Sequence, residues 1–253
     1  MLVYNRNTYN RKKLIQLLDK IGSITEPAIT VYLPAGSDSI SLAKIKKLLP
    51  ENSDIPETAL EYAFESNTGA VLFWGENNKF LIIPPFPVLE GQAVFGYQVD
   101  SLRRLLETEL TLAVVFIRMG LYGIGLFKGD LLFDSKVGTG LVHSRHKKGG
   151  SSQHRFERHR DKQIEYFFTN VCKKSREKLE PYAGEIDYLF YCGERMTVNN
   201  FVKQCRFIKD LNDRKMPRLI NVSGHGQKAL NEAFNKIWSS TVLQWRDDDT
   251  PDV

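Results

Sequence analysis

Three short apolar runs, Leu112 to Arg118, Tyr122 to Phe127 and Leu131 to Val137, follow one another with only Met119-Gly-Leu and Lys128-Gly-Asp between them. Glycine-containing connections of that length predict an antiparallel meander of three strands. Next come a long polar loop and a helix of about 28 residues, read from the 3.6-residue period of its apolar positions. A strand over Ile186 to Tyr191, a helix over Val198 to Leu211, a short strand over Leu219 to Val222 and a final helix over Gln227 to Leu243 complete the order. Three antiparallel strands followed by αβαβα predict a mixed sheet covered by helices, an α/β (α+β) class with the layout of ribonuclease-H-like folds.

Upstream, the pattern is mixed α/β as well. A helix is expected over Arg11 to Ile21 and a strand over Ala28 to Leu33, with helical patterns on either side of Pro56. Strands over Ala70 to Trp74 and Phe80 to Ile83 flank Gly75-Glu-Asn-Asn, a hairpin signal. Val94 to Val99 reads as one more strand, and Asp100 as the cap of a helix to about Glu109 with Leu102, Leu105 and Leu106 inward. A chain of 253 residues exceeds the usual single domain. The boundary is placed in that helix, giving residues 1–105 and 106–253 as two units. The acidic tail from Asp247 is expected to fray, and no repeat of solenoid or propeller period is present.

Charge is distributed unevenly. Between Lys136 and Lys178 there are twelve Lys or Arg against four Asp or Glu, whereas the rest of the chain has 23 against 26. His143, His146, His154 and His159 fall in the same segment, where protonation near an anion would add charge. A polyanionic partner is the natural inference. No stretch approaches the roughly 18 apolar residues needed to cross a bilayer. Arg6, Arg11, Lys12 and Lys13 interrupt the beginning of the chain, so a signal peptide is not expected and a cytoplasmic protein is. Cys172, Cys192 and Cys205 lack C-x-x-C spacing and read as buried reduced thiols, with neither a disulfide framework nor a zinc site.

Residues 143 to 160 read HSRHKKGGSSQHRFERHR, too polar for a core, with a Gly-Gly pair that lets the backbone approach a partner closely. On a wheel of 100° per residue, Phe156, Gln163, Ile164, Phe167 and Val171 share one arc of about 100°, predicted to face the sheet. Arg155, Arg158, His159 and Lys162 lie nearly opposite, and Glu157, Asp161 and Glu165 form a third stripe. Cations in the first turns of a helix oppose its positive end, and Arg158 and Lys162 repel at i, i+4. Repeated violation of local rules at one place points to function there.

The stretch Lys136-Val-Gly-Thr-Gly140, followed by His146-Lys-Lys-Gly-Gly-Ser-Ser-Gln-His-Arg-Phe-Glu-Arg-His-Arg-Asp-Lys-Gln163, resembles the release-factor-like (VLRF-type) family. That family is related to the middle domain of eukaryotic and archaeal class-one release factors and to the ankyrin and zinc-finger quality-control factor of stalled large ribosomal subunits. Phe190-Tyr-Cys-Gly193 extends the similarity, and Val31-Tyr-Leu-Pro34 is similar to the family's N-terminal domain. The resemblance implies that Gly149, Gly150, Ser151, Ser152 and Gln153 form the family's conserved loop, with Gln153 entering the peptidyl-transferase centre. Ser151 and Ser152 separate the glycines from Gln153, a departure from the Gly-Gly-Gln triplet of termination factors. The partners implied are the large ribosomal subunit, rRNA and peptidyl-tRNA, with no membrane, and the N-terminal unit is expected to dock. Arg145, His146, Lys147, Lys148, His154, Arg155, Arg158, His159 and Lys162 are the expected RNA contacts.

A glutamine amide does not titrate, so Gln153 would orient water or stabilise developing charge rather than act as a base. Such chemistry calls for no cofactor and no metal. The expected activity is peptidyl-tRNA hydrolysis on the ribosome. Two other readings stand beside it. One is strand cleavage near the tRNA 3′ end, with histidines as acid and base; the other is an RNA-binding adaptor without catalysis. A two-metal nuclease is disfavoured because Leu112 to Arg118 carries no carboxylate. Gly224-His-Gly226 reads as a structural turn rather than a phosphate site. Tyr166-Phe-Phe168 reads as core contact, and Gly120, Gly123 and Gly125 make no dinucleotide fingerprint.

Overall fold

The computed structural model describes residues 3–36, 55–143 and 152–246. The chain divides into residues 1–108 with 237–253, and residues 109–236.

The first unit is built on strands β1 (Val3–Tyr9), β2 (Ala28–Leu33), β3 (Ala70–Gly75), β4 (Lys79–Ile83), β5 (Gln92–Phe95) and β10 (Ser240–Arg246), with helices α1 (Arg11–Gly22), α2 (Glu57–Glu65) and α3 (Asp100–Glu107). Its six-stranded sheet runs β1-β10-β4-β3-β2-β5 and every pairing is antiparallel. Alternation along β3 and β4 sorts the core. Val71, Phe73, Phe80 and Ile82 meet Leu14, Leu18 and Ile21 of α1 and Leu102 and Leu106 of α3. Leu72, Trp74 and Leu81 share the opposite cluster with Ala59 of α2 and with Leu243 and Trp245 of β10. The sheet is thus covered by helix on both faces, which is why β3 is buried throughout. Asn10 caps α1 by accepting from the Lys13 N–H at 2.9 Å. The expected β3–β4 hairpin is present, its turn held by Glu26, which accepts from Asn77 N and Asn78 N at 3.3 and 3.1 Å.

The second unit carries β6 (Thr111–Arg118), β7 (Leu121–Lys128), β8 (Leu131–Thr139) and β9 (Tyr188–Gly193), with α4 (Ser152–Leu179), α5 (Arg195–Gln204), α6 (Arg206–Asp210) and α7 (Gly226–Ile237). Its sheet order is β8-β7-β6-β9; the meander is antiparallel, and β9 joins β6 in parallel from Leu112↔Tyr188 to Ile117↔Gly193. A parallel neighbour requires a crossover, and the 28-residue α4 supplies it. On one face Phe167, Phe168 and Val171 of α4, with Phe201 and Ile208, pack on Ala113, Val115, Ile117, Ile124 and Leu126. On the other, Leu230 of α7 fits against Gly123 and Gly125, and Phe234 stacks on Phe127 with centroids 4.6 Å apart. The far end of α4 is tied to β8 by Lys178 and Asp134 at 2.6 Å.

Several expectations need correction. Residues 106–253 are not one unit: the final helix ends at Ile237, and Ser240–Arg246 is a strand of the first unit's sheet. Val242, Leu243 and Trp245 are buried there; the first two continue the helical pattern of the preceding residues only by coincidence of spacing. The expected helix Val198 to Leu211 breaks at Cys205, whose φ of −89° and ψ of 100° are extended. The strand expected over Leu219 to Val222 is reduced to a single bridge, Cys192↔Ile220. β5 begins earlier than Val94 and stops at Phe95, and Val99 rather than Asp100 occupies the cap position of α3. The helical pattern before Pro56 and the tail from Asp247 lie outside the described residues.

Cys172 and Cys205 are not reduced thiols but a disulfide, with Cα atoms 5.4 Å apart. It joins α4 to the α5–α6 break, where Gln204 also donates to the Glu165 carbonyl at 3.0 Å. Cys192 is free and buried, and burial, with the charge of Glu232 as the lesser cause, pushes its thiol up to about 12. For a sequence separation of 33 residues, restriction of the unfolded chain stabilises by about 3–4 kcal/mol. Cys205→Ala is therefore expected to lower unfolding free energy by roughly 2–4 kcal/mol in denaturant titrations without reductant. Titration with reductant should bring the native chain to the same midpoint.

Candidate functional site

α4 changes character along its length. Phe167, Phe168 and Val171 are 1%, 2% and 0% exposed, whereas every residue from His154 to His159 is exposed. The inward arc therefore holds only from Gln163 onward. Phe156, expected to face the sheet, is 60% exposed, because the first turns of α4 extend past the residues that would cover them.

That exposed end carries His154, Arg155, Arg158, His159 and Lys162. No acidic side chain stands in the first turn. His154 Nδ1 lies 3.5 Å from Glu157, and Arg158 Nε donates to the His154 carbonyl at 3.3 Å. Among the described residues, no ion pair neutralises Arg155, Arg158 or Lys162. A cationic surface results, arranged along one side of a rigid rod. On another side, an open cleft of about 590 Å³ between α4 and α5 is lined by Arg160, Asp161, Ile164, Glu165, Phe168 and Glu194. Three carboxylates against one guanidinium make this face less suited to a polyanion than the one that carries Arg155, Arg158 and Lys162.

The stem that leads into the polar loop lies close against the core. A Cβ at Gly138 would come within 2.5 Å of the Tyr122 hydroxyl, and one at Gly140 within 2.5 Å of the Phe167 ring. The Gly140 N–H donates to the Gly120 carbonyl at 2.9 Å. Glycine is needed at both places because any side chain would lift the stem from the sheet and α4. The His143 and His159 rings stand 6.4 Å apart at the base of the loop. Arg145, His146, Lys147, Lys148, Gly149, Gly150 and Ser151 lie outside the described residues, and Ser152 and Gln153 are described only as the backbone that opens α4.

Gly224-His-Gly226 is explained by the structure. The Glu232 carboxylate accepts from Ser223 N and Gly224 N, both at 3.0 Å, and from Lys236 Nζ at 2.9 Å. The Ser223 and Gly224 amides are thus engaged by the protein itself. No group of three or more potential metal ligands occurs among the described residues, and no described helix is long and apolar enough to cross a membrane.

The Lys236 ammonium, then the Gly224 and Ser223 amides, hold the Glu232 carboxyl down to about 2 against an ordinary 4.5. A depressed carboxyl stabilises the fold fully above its unfolded value and loses that contribution as pH falls through the folded one. The melting temperature of Glu232→Gln is thus expected to fall less than that of the native chain between pH 4.5 and about 2. Identical acid limbs in scanning calorimetry would refute the assignment.

Known proteins resemble this chain in sequence. A family profile described as "Actinobacteria/chloroflexi VLRF1 release factor" matches residues 110–243, more than half of the chain. The peptide chain release factor subunit 1 of Aeropyrum pernix is 27% identical over 91% of this chain and 70% of its own length. That of Methanopyrus kandleri is 26% identical over 90% of this chain and 62% of its own. A crystal structure of the archaeal translation termination factor aRF1 superimposes with a TM-score of 0.41 at 20% identity, covering 90% of this chain and 70% of that one.

Proposed function

The chain belongs to the Actinobacteria/chloroflexi VLRF1 release factor family, and on that premise we propose that it frees nascent peptide from tRNA on stalled large ribosomal subunits. The observation that carries the reading is the outward end of α4. Arg155, Arg158 and Lys162, unneutralised among the described residues, lie within the ten residues after Gln153 and stand clear of the core. Phosphates of rRNA or of the tRNA acceptor stem fit that surface, and counterion release on contact supplies affinity that depends steeply on salt.

In this reading the basic face docks on RNA, Gly149 and Gly150 let the backbone enter a narrow site, and Gln153 orients water toward the peptidyl-tRNA ester. Its amide can donate to a developing oxyanion and accept from water without changing protonation state. Positioning can contribute about 7–11 kcal/mol and one oxyanion donor about 3–4 kcal/mol, enough without an ionisable base from the protein. Residues 1–108 with 237–253 serve as the docking unit.

The neighbouring His143 and His159 rings favour one alternative, metal-independent cleavage of the tRNA strand with one imidazole as base and the other as acid.

Large subunits carrying labelled peptidyl-tRNA separate the readings when both the peptide and the tRNA 3′ end are resolved. Release with an intact tRNA end is expected, and Gln153→Ala is expected to slow it by about a hundredfold to a thousandfold. A shortened tRNA that survives Gln153→Ala and disappears in His159→Ala would establish strand cleavage instead. In a second measurement, replacing Arg155, Arg158 and Lys162 together by glutamine should reduce the slope of log affinity against log salt by about one per cation removed. An unchanged slope would remove these residues from the RNA contact.

A further inference from the structure

The last described residue before the polar loop is held by the helix that follows it. β8 ends at Thr139, so His143 has left the sheet and no strand satisfies its backbone. Both of its polar groups are nevertheless engaged. Its N–H donates to the side-chain oxygen of Gln163 at 3.1 Å, and its carbonyl accepts from Arg160 Nε at 2.9 Å. Residues three apart on a helix are surface neighbours, so one face of α4 grips a single residue from both sides. The Arg160 bond is charge-assisted, the stronger kind.

These contacts continue a series. Gly138 lies on Tyr122, and Gly140 lies on Phe167 and bonds to the Gly120 carbonyl; His143 is then fixed against α4. The stem is attached from the sheet up to the point where the chain departs for Gly149, Gly150 and Gln153. On the other side the chain re-enters as α4 itself, at Ser152. Both ends of the intervening segment are thereby referred to one rigid body.

We propose that Arg160 and Gln163 are positioning residues for peptide release. By holding His143 they set where the segment carrying Gly149, Gly150 and Gln153 leaves the core. This rests on the release reading above. Arg160 differs in kind from Arg155 and Arg158: its guanidinium bonds to the stem, whereas among the described residues no hydrogen bond joins theirs to it. A displacement of about 1 Å in a positioned reacting group can cost about a hundredfold in rate. Removing the clamp therefore acts on the chemical step, and removing a phosphate contact acts on affinity.

The test pairs two measurements on the whole chain: amide exchange at the His143 N–H by NMR, and single-turnover release from large subunits carrying labelled peptidyl-tRNA at increasing protein concentration. Gln163→Ala and Arg160→Ala are expected to accelerate exchange at His143. They should lower the saturated release rate by tenfold to about a hundredfold, with the half-saturating concentration unchanged within about twofold. Gln163→Glu, which keeps an acceptor, and Arg160→Lys, which keeps a donor, should recover most of the rate. Accelerated exchange with an undiminished rate overturns the proposal, as does exchange that never changes. A loss confined to half-saturation makes these residues RNA contacts and overturns it too. Native protein that binds the subunit and releases nothing overturns the release reading and the kinetic role together. Accelerated exchange in the variants would then still distinguish that failure from a clamp that does not exist.

Discussion

The contact on which the second unit depends is the packing of Phe167, Phe168 and Val171 of α4 against Ala113, Val115, Ile117 and Ile124 of its sheet. Each aromatic side chain removes roughly 150–250 Å² from water, and burial of that order fixes the rotation of the helix about its own axis. Every other face of α4 then follows. Once Phe167 is inward, the ring beneath Gly140 defines the path of the stem, Gln163 meets His143, and Arg155, Arg158 and Lys162 are turned away from the core. The residues that would meet RNA make no contribution to this arrangement. They are oriented by apolar contacts several turns further along the same rod.

Much of this was legible because it rests on periodicity. The meander, the length of α4 and the inward positions of Phe167 and Val171 follow from spacings of two and 3.6 residues, and the basic stripe is the remainder of the same wheel. Periodicity is silent where burial depends on a distant partner. Phe156 falls on the apolar arc, yet a wheel does not show where the covering sheet stops. β1 was missed because Val3–Tyr9 reads VYNRNTY, an edge strand without apolar alternation. Its pairing with β10 spans nearly the whole sequence, from Val3↔Arg246 to Tyr9↔Ser240. The Cys172–Cys205 bridge and the His143 clamp are likewise invisible to spacing, since each joins segments that only the tertiary fold brings together.

The polar parts of the site follow a rule of separation. Carboxylates at Asp161 and Glu165 share the helix with the cations yet line a different cleft, so the face of Arg155, Arg158 and Lys162 is the more cationic one. Glu232 performs the reverse service at the start of α7. It occupies the Ser223 and Gly224 amides ahead of that helix, so those two donors are satisfied within the fold.

The place of β10 has a consequence for how the chain comes into being. In the order β1-β10-β4 it is the strand that joins β1 to the rest of its sheet, yet it is translated after the whole of residues 109–236. A nascent chain emerging at about 5–20 residues per second completes the later-starting unit first. Meanwhile β1 and one edge of β4 await their common neighbour, and an unpaired β edge is a template for wrong partners. Vectorial synthesis thus finishes the part expected to act on RNA before the part that begins the sequence. Until residues 240–246 are made, the sheet of the first unit keeps open the two edges that this strand will close.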